Sequence, residues 1–191
     1  MEAFLISATS IATAEMGDRT QLLALVLAAR YRKPWPIAAG VLCATLANHA
    51  VAGLIGSLLG GQLRPALLDA AVGVSMIAMA LWTLKPDRLD QPAAAGADGA
   101  GAFVATLVAF FIAEMGDKTQ IATVALAAAY PNLVAVIGGT TCGMLIADLP
   151  VIFLGNAFAH RLPLRTIHYA AATLFAVLGV IFLVRAARHW S

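Results

Sequence analysis

Two stretches hold most of this sequence's capacity for chemistry: Glu15-Met16-Gly17-Asp18-Arg19-Thr20-Gln21 and Glu114-Met115-Gly116-Asp117-Lys118-Thr119-Gln120. Each lies about a dozen residues inside a long apolar run. Two carboxylates and a base at bilayer depth raise the cost of insertion by about 2.5–3.5 kcal/mol per charge, roughly 8–10 kcal/mol per stretch. Packing has no use for such a cost paid twice. Ionisable groups placed there point to a binding site or a path for an ion.

On a continuous helix, residues three apart share a face. Glu15, Asp18 and Gln21 are therefore expected to form one stripe, and Glu114, Asp117 and Gln120 another. With Thr20 and Thr119 these residues make an all-oxygen set, the donor type that Ca2+, Mg2+ or Mn2+ takes at six or more positions. Zinc or copper would call for His or Cys, which neither motif contains. Gly17 and Gly116, between the acids, open the alternative of local unwinding or close helix approach, either of which presents carbonyl oxygens. Asn48 and Asp148 are expected to line the same cavity. His49 reads either as a further ligand or proton carrier, or as a hydrogen-bonded packing residue.

Four motif carboxylates against Arg19 and Lys118 leave a charge of −2, which one divalent cation or two protons would neutralise. Metal and proton then compete for the same oxygens. The expected activity is cation/proton antiport by alternating access, with the divalent cation as cargo and no cofactor.

The elements that position these groups follow from composition. The chain has 191 residues, 61% hydrophobic and 12% charged, with a mean hydropathy of +0.87. A soluble domain is nearer ~45–50% apolar and ~25% charged. Six apolar stretches fill nearly everything, at about 3–29, 37–59, 66–84, 102–129, 133–158 and 166–184. Each is long enough to cross about 30 Å of hydrocarbon. No ten-residue barrel alternation occurs, so an all-α integral membrane protein is expected. Pro150, after Asp148-Leu149, is expected to kink the fifth span. The first run continues past Ala12-Thr13-Ala14 without a basic leader and reads as a retained span, not a signal peptide. A net charge of +2 gives no reason to expect nucleic acid, and no obligate protein partner is indicated. Cys43 and Cys142 read as buried thiols packing as small hydrophobes.

An offset of 99 residues superimposes the two halves without a gap: Phe4 on Phe103, Gly40 on Gly139, Cys43 on Cys142, Gly56 on Gly155, with His49 opposite Asp148. Asn48 is one residue off that register. The expectation is two three-helix repeats, 1–85 and 102–191, joined by a flexible linker, 86–101, rich in Ala, Gly, Asp and Pro. Three crossings is an odd number, so the second repeat enters from the opposite face, giving six transmembrane helices as an inverted repeat with Glu15 and Glu114 both near mid-membrane. With both termini extracytoplasmic, the cytoplasmic turns hold seven bases (Arg30, Arg32, Lys33, Lys85, Arg88, Arg161, Arg165) against three outside (Arg64, Arg185, Arg188), as the positive-inside rule prefers. Trp35, Trp82 and Trp190 read as interfacial anchors, Asp69 and His168 as interfacial, and Met16 and Met115 as packing against lipid or helix.

Two copies of E-x-G-D-[KR]-[ST] on a six-span chain resemble the family of Golgi and bacterial manganese and calcium transporters known as uncharacterised protein family 0016. The resemblance covers nearly the whole chain, and Glu15–Thr20 and Glu114–Thr119 match the signature in full. It implies export of Mn2+, or of Ca2+ in some members, in exchange for protons, with the motif acids carrying the ion. The absence of a long targeting extension and of a long acidic middle loop implies a compact prokaryotic member in the plasma (inner) membrane. Two rival readings are an exporter of a small organic cation or amino acid, and an intramembrane metal-dependent enzyme. Two nearly equal motif copies argue against an enzyme.

Overall fold

A computed structural model describes residues 1–84, 100–154 and 164–190. Lys85, Arg88, Arg161 and all but the last two residues of the expected linker lie outside the described residues, as do the side chains of Arg165, His168 and Trp190. Among the described residues the chain is all helix, in eight segments: α1 Glu2–Glu15, α2 Arg19–Tyr31, α3 Pro34–Gln62, α4 Pro65–Thr83, α5 Ala100–Glu114, α6 Lys118–Ala129, α7 Leu133–Leu154 and α8 Leu164–Trp190. Pro34 and Pro65 open α3 and α4, where a missing N–H costs nothing. Arg32 closes α2 in the left-handed region, its N–H bonded to the Ala28 carbonyl at 3.0 Å. Asn132 accepts the Ala135 N–H at 3.0 Å and starts α7.

Four of these helices are long and apolar enough to cross a membrane: α3, α4, α7 and, within α8, Tyr169–His189. The first and fourth expected spans are each two shorter helices in series, broken at the acidic motif. At 14 and 13 residues, α1 and α2 are each only about 20 Å long, too short to cross singly. The expected continuous stripe of Glu, Asp and Gln is therefore absent. Gly17 and Gly116 have φ of +83° and +78°, which a right-handed helix cannot accommodate. Pro150, by contrast, lies within α7, which runs on to Leu154.

The packing repeats with the 99-residue offset. α3 lies on α5, and α7 on α1. A Cβ at Gly40 would come within 2.9 Å of the Phe103 carbonyl oxygen, and one at Gly139 within 2.5 Å of that of Phe4. Small residues let backbones approach this closely where lipid offers no hydrophobic drive. α4 and α8 pack on each other. Asp69 is buried, with Arg185 Nε and His189 Nε2 on α8 each 3.5 Å from its Oδ2.

Polarity is inverted relative to a soluble fold. Leu54, Leu58, Val74, Leu81, Ile112 and Val134 are exposed, while Glu15, Asp18, Glu114, Asp117, Lys118 and Asp148 are buried. Trp35 and Trp82 are exposed near helix ends, and Met115 faces outward. Neither cysteine is fully buried as expected: Cys43 is exposed and Cys142 half-buried, both as free thiols on outward faces of α3 and α7.

Candidate cation site

The motif breaks build the site. At each break the Asp N–H returns to the Glu carbonyl, Asp18 to Glu15 at 3.1 Å and Asp117 to Glu114 at 3.0 Å. The intervening glycine turns left-handed, and the Asp becomes the N-cap residue of the next helix, in extended conformation. The glutamines hold this turn in place. Gln21 Oε1 accepts the Gly17 N–H at 2.9 Å, and Gln120 Oε1 accepts that of Gly116 at 2.7 Å. Gln21 also donates Nε2 to the Ala147 carbonyl on α7 at 2.8 Å. Both glutamines thus sit beside the acids while their amide oxygens serve backbone N–H groups.

Neither Asp caps its own helix through its side chain, although Asp is among the best N-caps. The carboxylates cross to the opposite motif instead. Lys118 Nζ lies 2.9 Å from Asp18 Oδ1, and Arg19 Nη2 lies 2.8 Å from Asp117 Oδ1. The two ion pairs are related by the 99-residue offset and tie the breaks together. Each Asp also sits at the positive end of a helix, which favours its charge.

Glu15, Asp18 and Asp117 each offer an oxygen, and the three oxygens lie within 4.8 Å of one another. All three residues are buried. Thr20 donates its hydroxyl to Glu15 Oε2, while Glu15 Oε1 and Asp117 Oδ2 make no hydrogen bond among the described residues. Carboxylate oxygens at such spacing in a buried cluster, with lone pairs unused, suit a hard divalent cation. The helix ends leave carbonyl oxygens beside them. This is the arrangement by which broken membrane helices bind ions.

Glu114 stands apart from that cluster. Thr45 donates to its Oε1 at 2.9 Å and Asn48 to its Oε2 at 3.4 Å, with Asn48 also 3.2 Å from the Phe111 carbonyl. Asp148 on α7 is fully buried, and neither of its oxygens is hydrogen-bonded among the described residues. Both ring nitrogens of buried His49 and the hydroxyl of buried Thr119 are likewise without a hydrogen bond among those residues. Sequence reasoning missed Thr45. Its signal was the polar triplet Thr45, Asn48, His49 at helical spacing on an otherwise apolar span, whose repeat-mates include Met144 and Ala147.

The model of the divalent cation/proton antiporter family GDT1 matches residues 3–91 and again 102–190. The chain belongs to the GDT1 family. Both matched segments contain one complete acidic motif. A protein of Vibrio cholerae named "Putative manganese exporter" is 47% identical over 94% of this chain and 90% of its own length. The GDT1-like protein sll0615 of Synechocystis is 28% identical over 95% of this chain and 96% of its own. The chloroplastic GDT1-like protein 1 of Oryza sativa is 35% identical over 44% of this chain and 25% of its own. No solved structure matches the chain.

Membership makes the chain a membrane transport protein of an antiporter family, and the inside-out polarity of the fold accords with that. The site is not symmetric in this conformation, although the family motif is present twice. Lys118 is 4% exposed, whereas its repeat-mate Arg19 is 36% exposed. Gln21 is buried and Gln120 half-buried.

Proposed function

We propose that this chain exports Mn2+ in exchange for protons by alternating access, with Ca2+ as a second possible cargo for the same oxygens. The observation that carries the reading is the cluster of Glu15, Asp18 and Asp117, gathered from both motifs into one buried place. Glu15, Asp18 and Asp117 hold the ion in this conformation. Glu114 takes the place of Glu15 when the repeats exchange roles, and Gln21 and Gln120 shape the breaks and turn their oxygens to the ion as it passes. Thr20, Thr119, Asn48, His49 and Asp148 line the path, and Arg19 and Lys118 balance the charge.

The architecture proposed is six crossings in two inverted repeats, 1–85 and 102–191. Each broken pair (α1 with α2, α5 with α6) counts as one crossing. The repeated packing of Gly40 and Gly139 supports this, as do the two family matches beginning 99 residues apart. The unequal exposure of Arg19 and Lys118 fits a carrier caught with one side more open. The proposed location is the inner membrane with both termini extracytoplasmic. The protein acts without a cofactor and is not an enzyme. The 47% identity to the Vibrio cholerae protein supports Mn2+ as cargo.

The test is flux in liposomes containing the purified protein. An imposed proton gradient should drive Mn2+ against its own gradient, and Glu15→Gln and Glu114→Gln should each abolish this. Unchanged flux in either variant, or flux of Mn2+ indifferent to the proton gradient, removes the proposal. Competition by Ca2+ and by an organic cation in the same assay sorts the cargo.

A further inference from the structure

The cation-binding carboxylates already carry a cation supplied by the chain itself. Lys118 Nζ lies 2.9 Å from Asp18 Oδ1, so it is seated on one of the three clustered acids. Its side chain is 4% exposed and that of Asp18 fully buried, which keeps water from screening the pair. A divalent cation bound to Asp18 takes oxygens at about 2.0–2.6 Å. With Lys118 still on the same oxygen, the two positive centres would lie at most about 5.5 Å apart in buried, low-dielectric surroundings, where repulsion is strong. Ammonium and metal ion therefore exclude one another from Asp18.

We propose that Lys118 is a tethered surrogate for the transported cation: it occupies the Asp18 arm of the site when the metal is absent, and the metal enters only by displacing it. The proposal rests on the divalent-cation reading above and deepens it. An ammonium suits the role, being a compact point charge with three donors on a flexible stem that can swing away. Arg19 is the lesser competitor in this conformation, because water reaches its 36%-exposed side chain and weakens its hold on Asp117. The arrangement has a consequence for coupling. A metal-free site with Lys118 seated needs protons only on its remaining carboxylates to return, whereas one without it would carry an extra buried negative charge.

The experiment uses the full chain in liposomes as wild type, Lys118→Gln and Lys118→Arg. Three readouts are taken: equilibrium Mn2+ binding, Mn2+/Mn2+ exchange, and net proton-driven Mn2+ flux. Lys118→Gln should bind Mn2+ about tenfold or more tightly, the scale of one charge-assisted hydrogen bond no longer displaced. It should retain exchange, which needs no metal-free return step, and lose net flux by at least about tenfold. Lys118→Arg, which keeps the charge, should retain net flux. Weaker binding in Lys118→Gln overturns the proposal, as does a parallel fall of exchange and net flux in protein that unfolds at the wild-type temperature. Should Lys118→Gln not fold, Lys118→Arg decides: loss of its net flux overturns the proposal and retention upholds it. A wild type that neither binds nor exchanges Mn2+ sinks the divalent-cation reading itself, an outcome visible before any variant is compared.

Discussion

Glu15→Gln and Glu114→Gln are matched substitutions at repeat-related positions, and the structure predicts that they separate in a binding assay. Glu15 lies in the three-carboxylate cluster with one oxygen free of hydrogen bonds among the described residues. Both oxygens of Glu114 are engaged by Thr45 and Asn48. Losing one ionised ligand from a buried site removes an interaction of about 1.5–3 kcal/mol, the scale of a charged hydrogen bond. At 1.4 kcal/mol per decade that is about a 10- to 150-fold rise in Kd. Glu114→Gln removes no member of the cluster, and its amide still accepts from Thr45, so Kd should move by less than about threefold. Mn2+ binding by calorimetry or by the paramagnetic resonance of the ion, on protein held in this conformation, reads both directly. Net transport visits both conformations and should fail in both variants. Equal losses of affinity would refute the reasoning, because they would mean a symmetric four-carboxylate site in place of the three-membered cluster.

Gly17→Ala and Gly116→Ala place a Cβ at φ of +83° and +78°, at a cost of about 1–2 kcal/mol each; both should lower the unfolding temperature and the flux. Gly139→Ala should destabilise by about 1–3 kcal/mol, its Cβ lying 2.5 Å from the Phe4 carbonyl oxygen. Gly138→Ala, with nothing nearer than 3.8 Å, should be neutral or slightly stabilising in thermal unfolding, gaining up to about 1 kcal/mol of helix propensity. Asp18→Asn removes the carboxylate 2.9 Å from the buried Lys118 ammonium and should cost about 3–5 kcal/mol. Asp117→Asn releases the half-exposed Arg19 and should cost visibly less in the same denaturation series. Mn2+ efflux should slow when the release side is made alkaline and quicken when it is acidified, since protons must take the vacated oxygens; flux measured against release-side pH that stays flat contradicts proton exchange.

Much was legible in the one-dimensional record because lipid imposes simple rules. Long apolar runs had to be helices, and the 99-residue offset disclosed the duplication; family membership followed from the same two motifs. Gly17 and Gly116 were legible as points where a helix could unwind, and both do so; what could not be read was that this break would win over the continuous stripe. Helical periodicity predicted Glu15, Asp18 and Gln21 on one stripe, but that rule assumes an unbroken right-handed helix, and Gly17 at φ +83° ends it. Gln21 consequently turns its oxygen to the Gly17 N–H, a local bond with no signature in spacing. The crossed pairs Asp18–Lys118 and Asp117–Arg19 join residues about a hundred positions apart, and within either motif a sequence reader would have paired each Asp with its own neighbour. Their reach, and the unequal burial of Lys118 and Arg19, depend on how the two halves pack. Local chemistry and repetition are properties of the string, whereas the choice of which acids share an ion is a property of distances between segments, and only the folded arrangement sets those.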